Sequence, residues 1–110
     1  MDVNELEPKM EEAARLMEML SQPIRLKILC ILLDREQSVL KLAEQAGLSQ
    51  PAMSHHLKKL RDAGLVKTRR DAQTIYYSLK GDEASAVIEL LHDLYCSKGQ
   101  EPCGSDDEAA

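Results

Sequence analysis

Polar side chains that can hydrogen-bond to DNA bases cluster on one side of a segment that begins at Ser49 and ends at Gly64. Serine caps helix N-termini and glycine ends helices, so this segment is predicted to be a helix. Its apolar residues recur at i, i+4 and i+7 and face the protein: Met53, Leu57 and Leu60. The outward positions carry three candidate base readers: Gln50, Ser54 and His55. Glutamine at such a position most naturally pairs with adenine in a major groove.

Basic residues surround this helix and the two strands predicted after it. Residues 49–80 contain seven basic and two acidic residues, although the net charge of the whole chain is −5. A basic face on an acidic body orients a protein on DNA, whereas the alternative is an ordinary solvated surface. Other residues are predicted to hold phosphates or to touch the DNA backbone or minor groove. These remaining members of the predicted DNA contact set are Ser49, Lys58, Lys59, Arg69, Arg70 and Gln73.

The adjacent histidines His55 and His56 raise the alternative of a metal site. Neighbouring residues on a helix lie about 100° apart around its axis, so two adjacent histidines do not easily share one ion. A surface or DNA-facing role is therefore favoured for this pair.

The elements that position these residues are predicted in the order helix, helix, helix, helix, strand, strand, helix. The helices cover residues 6–20, 22–34, 38–46, 49–64 and 82–96, and the strands cover 65–70 and 74–79 with a turn at 71–73. Ser38 and Asp82 are expected to cap their helices. The fold class is mainly α with a small β-hairpin, a winged helix-turn-helix over residues 1–96. The polar, acidic residues 97–110 are predicted to form a disordered tail.

The first and last helices carry more apolar surface than one small domain covers, which predicts a homodimer through these two helices. The alternative is that the first helix folds back on its own subunit. A dimer would place two reading helices about 34 Å apart, one turn of DNA. The predicted partner is therefore a double-stranded DNA operator with an inverted repeat.

Other classes of protein find little support in the residues. No phosphate-binding loop, paired carboxylates in a plausible cleft, or nucleophile–base set is recognisable, so an enzyme is not expected. No apolar run approaches the ~18 residues of a membrane span, and the acidic N-terminus does not look like a secretion signal. We expect a cytoplasmic protein that uses no cofactor.

Three stretches of the sequence resemble the ArsR/SmtB family of bacterial winged-helix repressors. They are residues 23–29 (Pro-Ile-Arg-Leu-Lys-Ile-Leu), residues 47–57 with the sequence Ser-His-His-Leu at their end, and residues 60–66 (Leu-Arg-Asp-Ala-Gly-Leu-Val). The resemblance runs from about residue 12 to 96. It implies a homodimeric repressor that leaves its operator when an inducer binds.

Many members of this family sense metals, but the familiar ligands are missing from this sequence. The segment that opens the third helix with two cysteines in some members is here Ser-Val-Leu-Lys-Leu at 38–42. The positions that ligate metal along the last helix of other members hold Gly81, Glu83, Leu94 and Ser97. A zinc site needs about four ligands, so no metal is expected at either place.

The residues around Cys30 and Cys96 resemble the thiol-switched branch of the family, whose members respond to sulfide and persulfide. The resemblance implies that reactive sulfur species join the two cysteines by a disulfide or a polysulfide, which lowers operator affinity. Three alternatives stay open: a response to peroxide through a simple disulfide, an unusual metal site of Cys30, His92 and Cys96, and inert thiols with Cys30 as a buried apolar residue. Cys103, in the tail, is expected to be incidental or a secondary reactive thiol.

Overall fold

Six α-helices and three strands make up the fold in the computed structural model, which describes residues 2–97. The helices are α1 (Val3–Leu6), α2 (Met10–Met19), α3 (Pro23–Asp34), α4 (Val39–Ala46), α5 (Gln50–Asp62) and α6 (Glu83–His92). The strands are β1 (Gln37–Ser38), β2 (Val66–Asp71) and β3 (Thr74–Leu79). A 3₁₀ turn (Glu7–Lys9) joins α1 to α2, and a π-helical turn (Asp93–Ser97) continues α6.

The first predicted helix is divided at Pro8. Asp2 caps α1 by accepting a hydrogen bond from the amide of Asn4 at 2.9 Å. The 3₁₀ turn then places Pro8 near its start, where a missing amide hydrogen costs little. The helical region therefore begins earlier than residue 6 and contains an interruption that apolar periodicity did not reveal.

Local capping signals produce the two helices of the helix-turn-helix as predicted. The hydroxyl of Ser38 accepts from the amide of Lys41 at the start of α4, at 3.2 Å. The hydroxyl of Ser49 accepts from the amide of Ala52 at the start of α5, also at 3.2 Å. Gly47 ends α4 with a φ of 73°, a left-handed conformation in which glycine carries no steric penalty. These signals end α4 and begin α5 within a short turn, and the two helices pack against each other.

The hydrophobic core forms around α3, as its nearly continuous apolar sequence predicts. Ile28 and Leu29 of this helix are fully buried, and the inward face of α5 packs on the same core. The buried apolar residues are Leu20, Ile28, Leu29, Leu32, Leu42, Ala43, Ala46, Met53, Leu57, Leu60, Leu65, Val66, Ala84 and Ile88. Burial of these side chains positions the outer face of α5 toward solvent.

The β-hairpin pairs β2 with β3 in antiparallel register from Val66 opposite Leu79 to Asp71 opposite Thr74. Ala72, with a φ of 58°, makes the tight turn that was predicted over residues 71–73. The sequence did not predict β1, a two-residue strand that pairs with β3 and extends the hairpin to a three-stranded sheet. This pairing attaches the hairpin to the segment that leads into α4.

Asp82 occupies the N-cap position of the last helix, as predicted. Asp82 precedes α6, but its carboxylate makes no capping hydrogen bond. The backbone carbonyl of Asp82 instead accepts from the hydroxyl of Ser85 at 3.1 Å.

None of the helices within residues 2–97 has the length and apolar composition of a membrane span. The predicted tail lies outside the described residues except for residue 97, and so does Cys103.

Candidate nucleic-acid interface and thiol pair

The outward face of α5 presents the predicted base readers on a rigid support. Met53 and Leu57 are fully buried, which fixes the rotation of the helix about its own axis. Ser54 and His55 between them are therefore held outward. All nine members of the predicted DNA contact set are exposed: Ser49, Gln50, Ser54, His55, Lys58, Lys59, Arg69, Arg70 and Gln73. The helix and the hairpin thus offer donors and cations in the arrangement that a winged helix-turn-helix uses on DNA.

Two of these side chains also have a structural role within α5. The oxygen of Ser49 accepts the capping hydrogen bond, so its hydroxyl hydrogen is still available to donate to a phosphate. Lys58 lies 3.3 Å from Asp62, one turn away on the same exposed surface. Such an exposed pair is weak and exchanges readily for a phosphate.

Arg69 of β2 is held by a residue that the sequence did not single out. Its Nη2 donates to Oε1 of Glu36 at 2.6 Å, and its Nε lies 3.2 Å from the same oxygen. Its guanidinium also stacks 4.6 Å from the ring centre of Tyr76. The hydrogen bond from Arg69 lowers the pKa of the Glu36 carboxylate, and the same bond raises the pKa of Arg69.

This ion pair changes the expected role of Arg69. Glu36 precedes β1 and lies 33 residues from Arg69 in sequence, so no local pattern links the two. The pair connects the hairpin to the start of the helix-turn-helix, and it offsets the charge that was predicted to hold a phosphate. Arg69 therefore braces the hairpin in the free protein.

The end of the hairpin presents Arg70 and Gln73. The Nε of Arg70 donates to the carbonyl of Ala72 at 3.3 Å, which folds the guanidinium along the turn. Gln73 is exposed beside it. This tip carries an arginine without an acidic partner among the described residues, so its charge is available to a ligand in solvent.

The two adjacent histidines of α5 occupy different environments. His55 is exposed, whereas His56 is half-buried and its Nδ1 is buried with no hydrogen-bond partner in the described part of the chain. Burial lowers the pKa of His56, and the charges of Arg25 and His55 lower it further. No group of three possible metal ligands is found among residues 2–97. His55 is thus the member of the pair that can reach a ligand in solvent.

Cys30 of α3 and Cys96 of the π-helical turn are both exposed and both free thiols. The alternative in which Cys30 is a buried apolar residue is therefore wrong. Helix α3 packs against α6, which the π-helical turn continues, so the two cysteines belong to neighbouring elements. The pKa of the Cys30 thiol is raised, mainly by partial burial and further by the charge of Cys96. The Cys96 sulfur is thus near enough to act electrostatically on Cys30.

Comparisons with known proteins agree with this geometry. The family model described as "Bacterial regulatory protein, arsR family" matches residues 22–68, from α3 into β2. The transcriptional activator HlyU of Vibrio cholerae is 47% identical over 91% of this chain and 93% of HlyU. The regulator YgaV of Escherichia coli is 41% identical over 86% of this chain and 97% of YgaV. The crystal structure of the repressor BigR from Xylella fastidiosa has a TM-score of 0.82 at 36% identity, covering 87% of this chain and 98% of BigR.

The fold and its exposed basic helix define a winged helix-turn-helix transcriptional regulator, and the predicted fold class is confirmed. The chain belongs to the arsR family. Its resemblance, within that family, to the branch of HlyU, BigR and YgaV is also confirmed. Because these relatives are transcriptional regulators, the prediction that the chain is not an enzyme is confirmed as well.

Proposed function

We propose that this protein is a homodimeric repressor that leaves its DNA operator when reactive sulfur species join Cys30 to Cys96. The observation that carries the proposal is the pair of free, exposed thiols on neighbouring elements, close enough for the charge of one to raise the pKa of the other. Thiols that must be reduced in the resting state suit the cytoplasm, where protein thiols are kept reduced.

The distribution of exposed apolar side chains supports the homodimer. Large apolar residues are exposed at both ends of the described chain, on α1 and α2 and on α6 with its π-helical turn: Val3, Leu6, Met10, Met17, Leu90, Leu94 and Tyr95. Leu94 is 65% exposed and Tyr95 is 77% exposed, which is unusual for adjacent large apolar residues. Packing these surfaces across a two-fold axis removes them from water, and it sets the spacing of the two copies of α5 on an inverted repeat.

The proposed reaction is balanced in atoms and electrons with persulfide as the only reagent. A thiolate attacks the outer sulfur of a persulfide, takes up that sulfur, and releases the corresponding thiol. A second persulfide then oxidises the cysteine persulfide and the other cysteine thiol, which lose two hydrogens and join through a new S–S bond. This second persulfide is reduced to a thiol and hydrogen sulfide. With peroxide, the two thiols lose their hydrogens to form a simple disulfide, and peroxide is reduced to water. The number of inserted sulfurs depends on the distance that must be spanned, because each added bond lengthens the link by about 2 Å.

A covalent link between these two cysteines acts at a junction of the fold. Cys30 lies on the central core helix, and Cys96 follows the helix that carries part of the proposed dimer surface. Drawing them together moves α6 relative to the core, and through the dimer it moves one copy of α5 relative to the other. A coupling of about 1–3 kcal/mol changes operator affinity by about 5- to 150-fold.

Intact mass spectrometry combined with operator binding tests the proposal. Wild-type protein treated with glutathione persulfide should gain the mass of one or more sulfur atoms between Cys30 and Cys96 and lose operator affinity, whereas Cys30→Ser and Cys96→Ser should keep DNA bound. Cys103→Ser is the matched control and should respond like wild type. Release of DNA from both single variants by persulfide would overturn the thiol switch.

Two further outcomes identify a different inducer. A response to peroxide alone, with loss of two hydrogens and no added sulfur, would show a general redox regulator. Release of DNA by zinc at equimolar concentration, with the thiols reduced, would show a metal-responsive regulator. Neither outcome would affect the assignment of α5 as the DNA-reading helix.

A further inference from the structure

A cleft of about 830 Å³ lies between α2, the start of α3, the end of α5 and the start of α6. Its apolar wall includes Leu16 and Met19 of α2 and Leu65, which follows α5. Neither Cys30 nor Cys96 lines it. The cleft is therefore a concave surface separate from the thiol pair, and one of its walls is the reading helix itself.

Arg25 lines this cleft and is a buried cation that has no ion pair with any acid of residues 2–97. Only 7% of the surface of Arg25 is exposed. Within residues 2–97 its guanidinium donates only through Nη1, at 3.4 Å to the carbonyl of Met19 and at 3.1 Å to the sulfur of the same residue. Its Nε is buried with no hydrogen-bond partner, and no described acid pairs with it. Buried charges in proteins are ordinarily paired, so this site lacks an anion.

The guanidinium of Arg69 illustrates which ligand suits the Nε and Nη2 edge of Arg25. Arg69 grips the carboxylate of Glu36 through Nε and Nη2, at 3.2 Å and 2.6 Å from one oxygen. The same two nitrogens of Arg25 meet no acceptor among the described residues. This edge of a guanidinium is a planar fork that matches a carboxylate.

The charges around the cleft favour a single negative charge on the ligand. Four acids line it, but two are paired with lysines that do not: Glu12 with Lys9 at 3.6 Å and Asp62 with Lys58 at 3.3 Å. Three cations of the lining, Arg15, Arg25 and Lys59, have no ion pair in the described part of the chain. Two acids of the lining, Glu18 and Glu83, also have no ion pair in the described part of the chain. The unpaired cations of the lining therefore outnumber its unpaired acids by only one. A multiply charged phosphate ester fits this balance poorly.

We propose that the cleft binds an amphipathic organic monocarboxylate, with its carboxylate on the guanidinium of Arg25 and its apolar body against Leu16, Met19 and Leu65. The cleft offers the combination that such sites share, apolar walls with a few convergent polar groups. Lys59 of α5 lines the same space, so an acid held there neutralises a cation that the reading helix would otherwise offer to a phosphate.

The test uses the reduced full-length protein with octanoate as the probe, octanol as the uncharged control and inorganic phosphate as the small-anion control. Octanoate should bind in calorimetry and shift the Nε–H resonance of Arg25. Arg25→Lys keeps the charge but loses the fork, and should weaken binding about tenfold, the effect of one hydrogen bond to a charged group. Arg15→Gln should weaken it several-fold, whereas Arg35→Gln, an exposed arginine outside the cleft, should not.

Several results would overturn the assignment. Octanol that binds as tightly as octanoate would show an apolar surface without a carboxylate site. Phosphate that shifts the same resonance at equal concentration would show a site for simple anions. An Arg25 Nε–H that octanoate leaves unchanged would show that the fork is already occupied in the dimer. Because Arg25→Lys could unfold the protein, the resonance of the wild type and the surface variant Arg15→Gln decide the question independently.

Discussion

Arg69 of β2 and Glu36 before β1 form a two-pronged ion pair, with the shortest contact at 2.6 Å, between elements 33 residues apart. The pair ties the hairpin to the helix-turn-helix and leaves one cation of the predicted DNA surface partly neutralised. Its electrostatic consequence for DNA binding is measurable.

Replacing Glu36 by Gln should strengthen non-specific DNA binding at low salt. The substitution removes the acid that competes with phosphate for Arg69, so one more phosphate contact becomes available. The slope of log K against log salt should become more negative by about 0.9, the effect of one additional released counterion. Glu7→Gln, which removes the same charge from the exposed 3₁₀ turn, is the matched control and should leave the slope unchanged. An identical slope for both variants would show that Arg69 does not contact DNA.

The His55→Ala variant tests base reading by α5. We expect operator affinity to fall by about 1–3 kcal/mol, the range for a side chain that distinguishes bases, while binding to random DNA changes little. Arg70→Ala is the contrasting variant: it should weaken both by a similar factor, because a phosphate contact carries no sequence information. Fluorescence anisotropy with both DNA molecules at one salt concentration gives the comparison. Equal losses for His55→Ala on both would assign this histidine to the backbone.

The Cys96→Ser variant should make Cys30 react at lower pH. Cysteine reacts as the thiolate, and the pKa of Cys30 is raised by burial and then by the charge of Cys96. Removing Cys96 eliminates the second cause and leaves the first. The pH dependence of carbamidomethylation at Cys30, followed by peptide mass spectrometry, should therefore shift its midpoint downward. Cys103→Ser should not shift it, and an unshifted midpoint in Cys96→Ser would mean that the two sulfur atoms lie too far apart to interact.

Protonation of His56 should destabilise the fold in mild acid. Its pKa in the folded state is lowered by burial and by Arg25 and His55, so the unfolded chain binds the proton more readily. The stability that this neutral histidine contributes is fully present above its unfolded pKa of about 6.5 and is lost as the pH falls through the lower folded value. Urea midpoints measured between neutral and mildly acidic pH should decline in wild type and in His55→Gln.

The same decline should be smaller in His56→Gln, since glutamine does not titrate. If His56→Gln lost stability with acid as steeply as wild type, other groups would account for the pH dependence. The comparison with His55→Gln matters because both variants remove one histidine from the same helix, and only one of them removes the buried ring nitrogen.

The helix-turn-helix could be predicted from the sequence because its determinants are local. Ser38, Gly47 and Ser49 act within one turn of their own helices, and the apolar periodicity of α5 alone decides which of its faces is buried. Such interactions span three or four residues, so they are visible in the order of the amino acids. The exposed positions of the predicted base readers follow from the same periodicity.

Only the tertiary structure decided which distant groups meet. The pairing of β1 with β3, the ion pair of Glu36 with Arg69, and the burial of Arg25 without an acid all join segments far apart in the chain. Cys30 and Cys96 could be matched to each other only by family resemblance, and the packing of α3 on α6 places them on neighbouring elements. The physical reason is that burial of apolar side chains is non-directional: it requires α3 to be covered, but the shapes of all the packed elements together determine which polar groups that packing brings into contact.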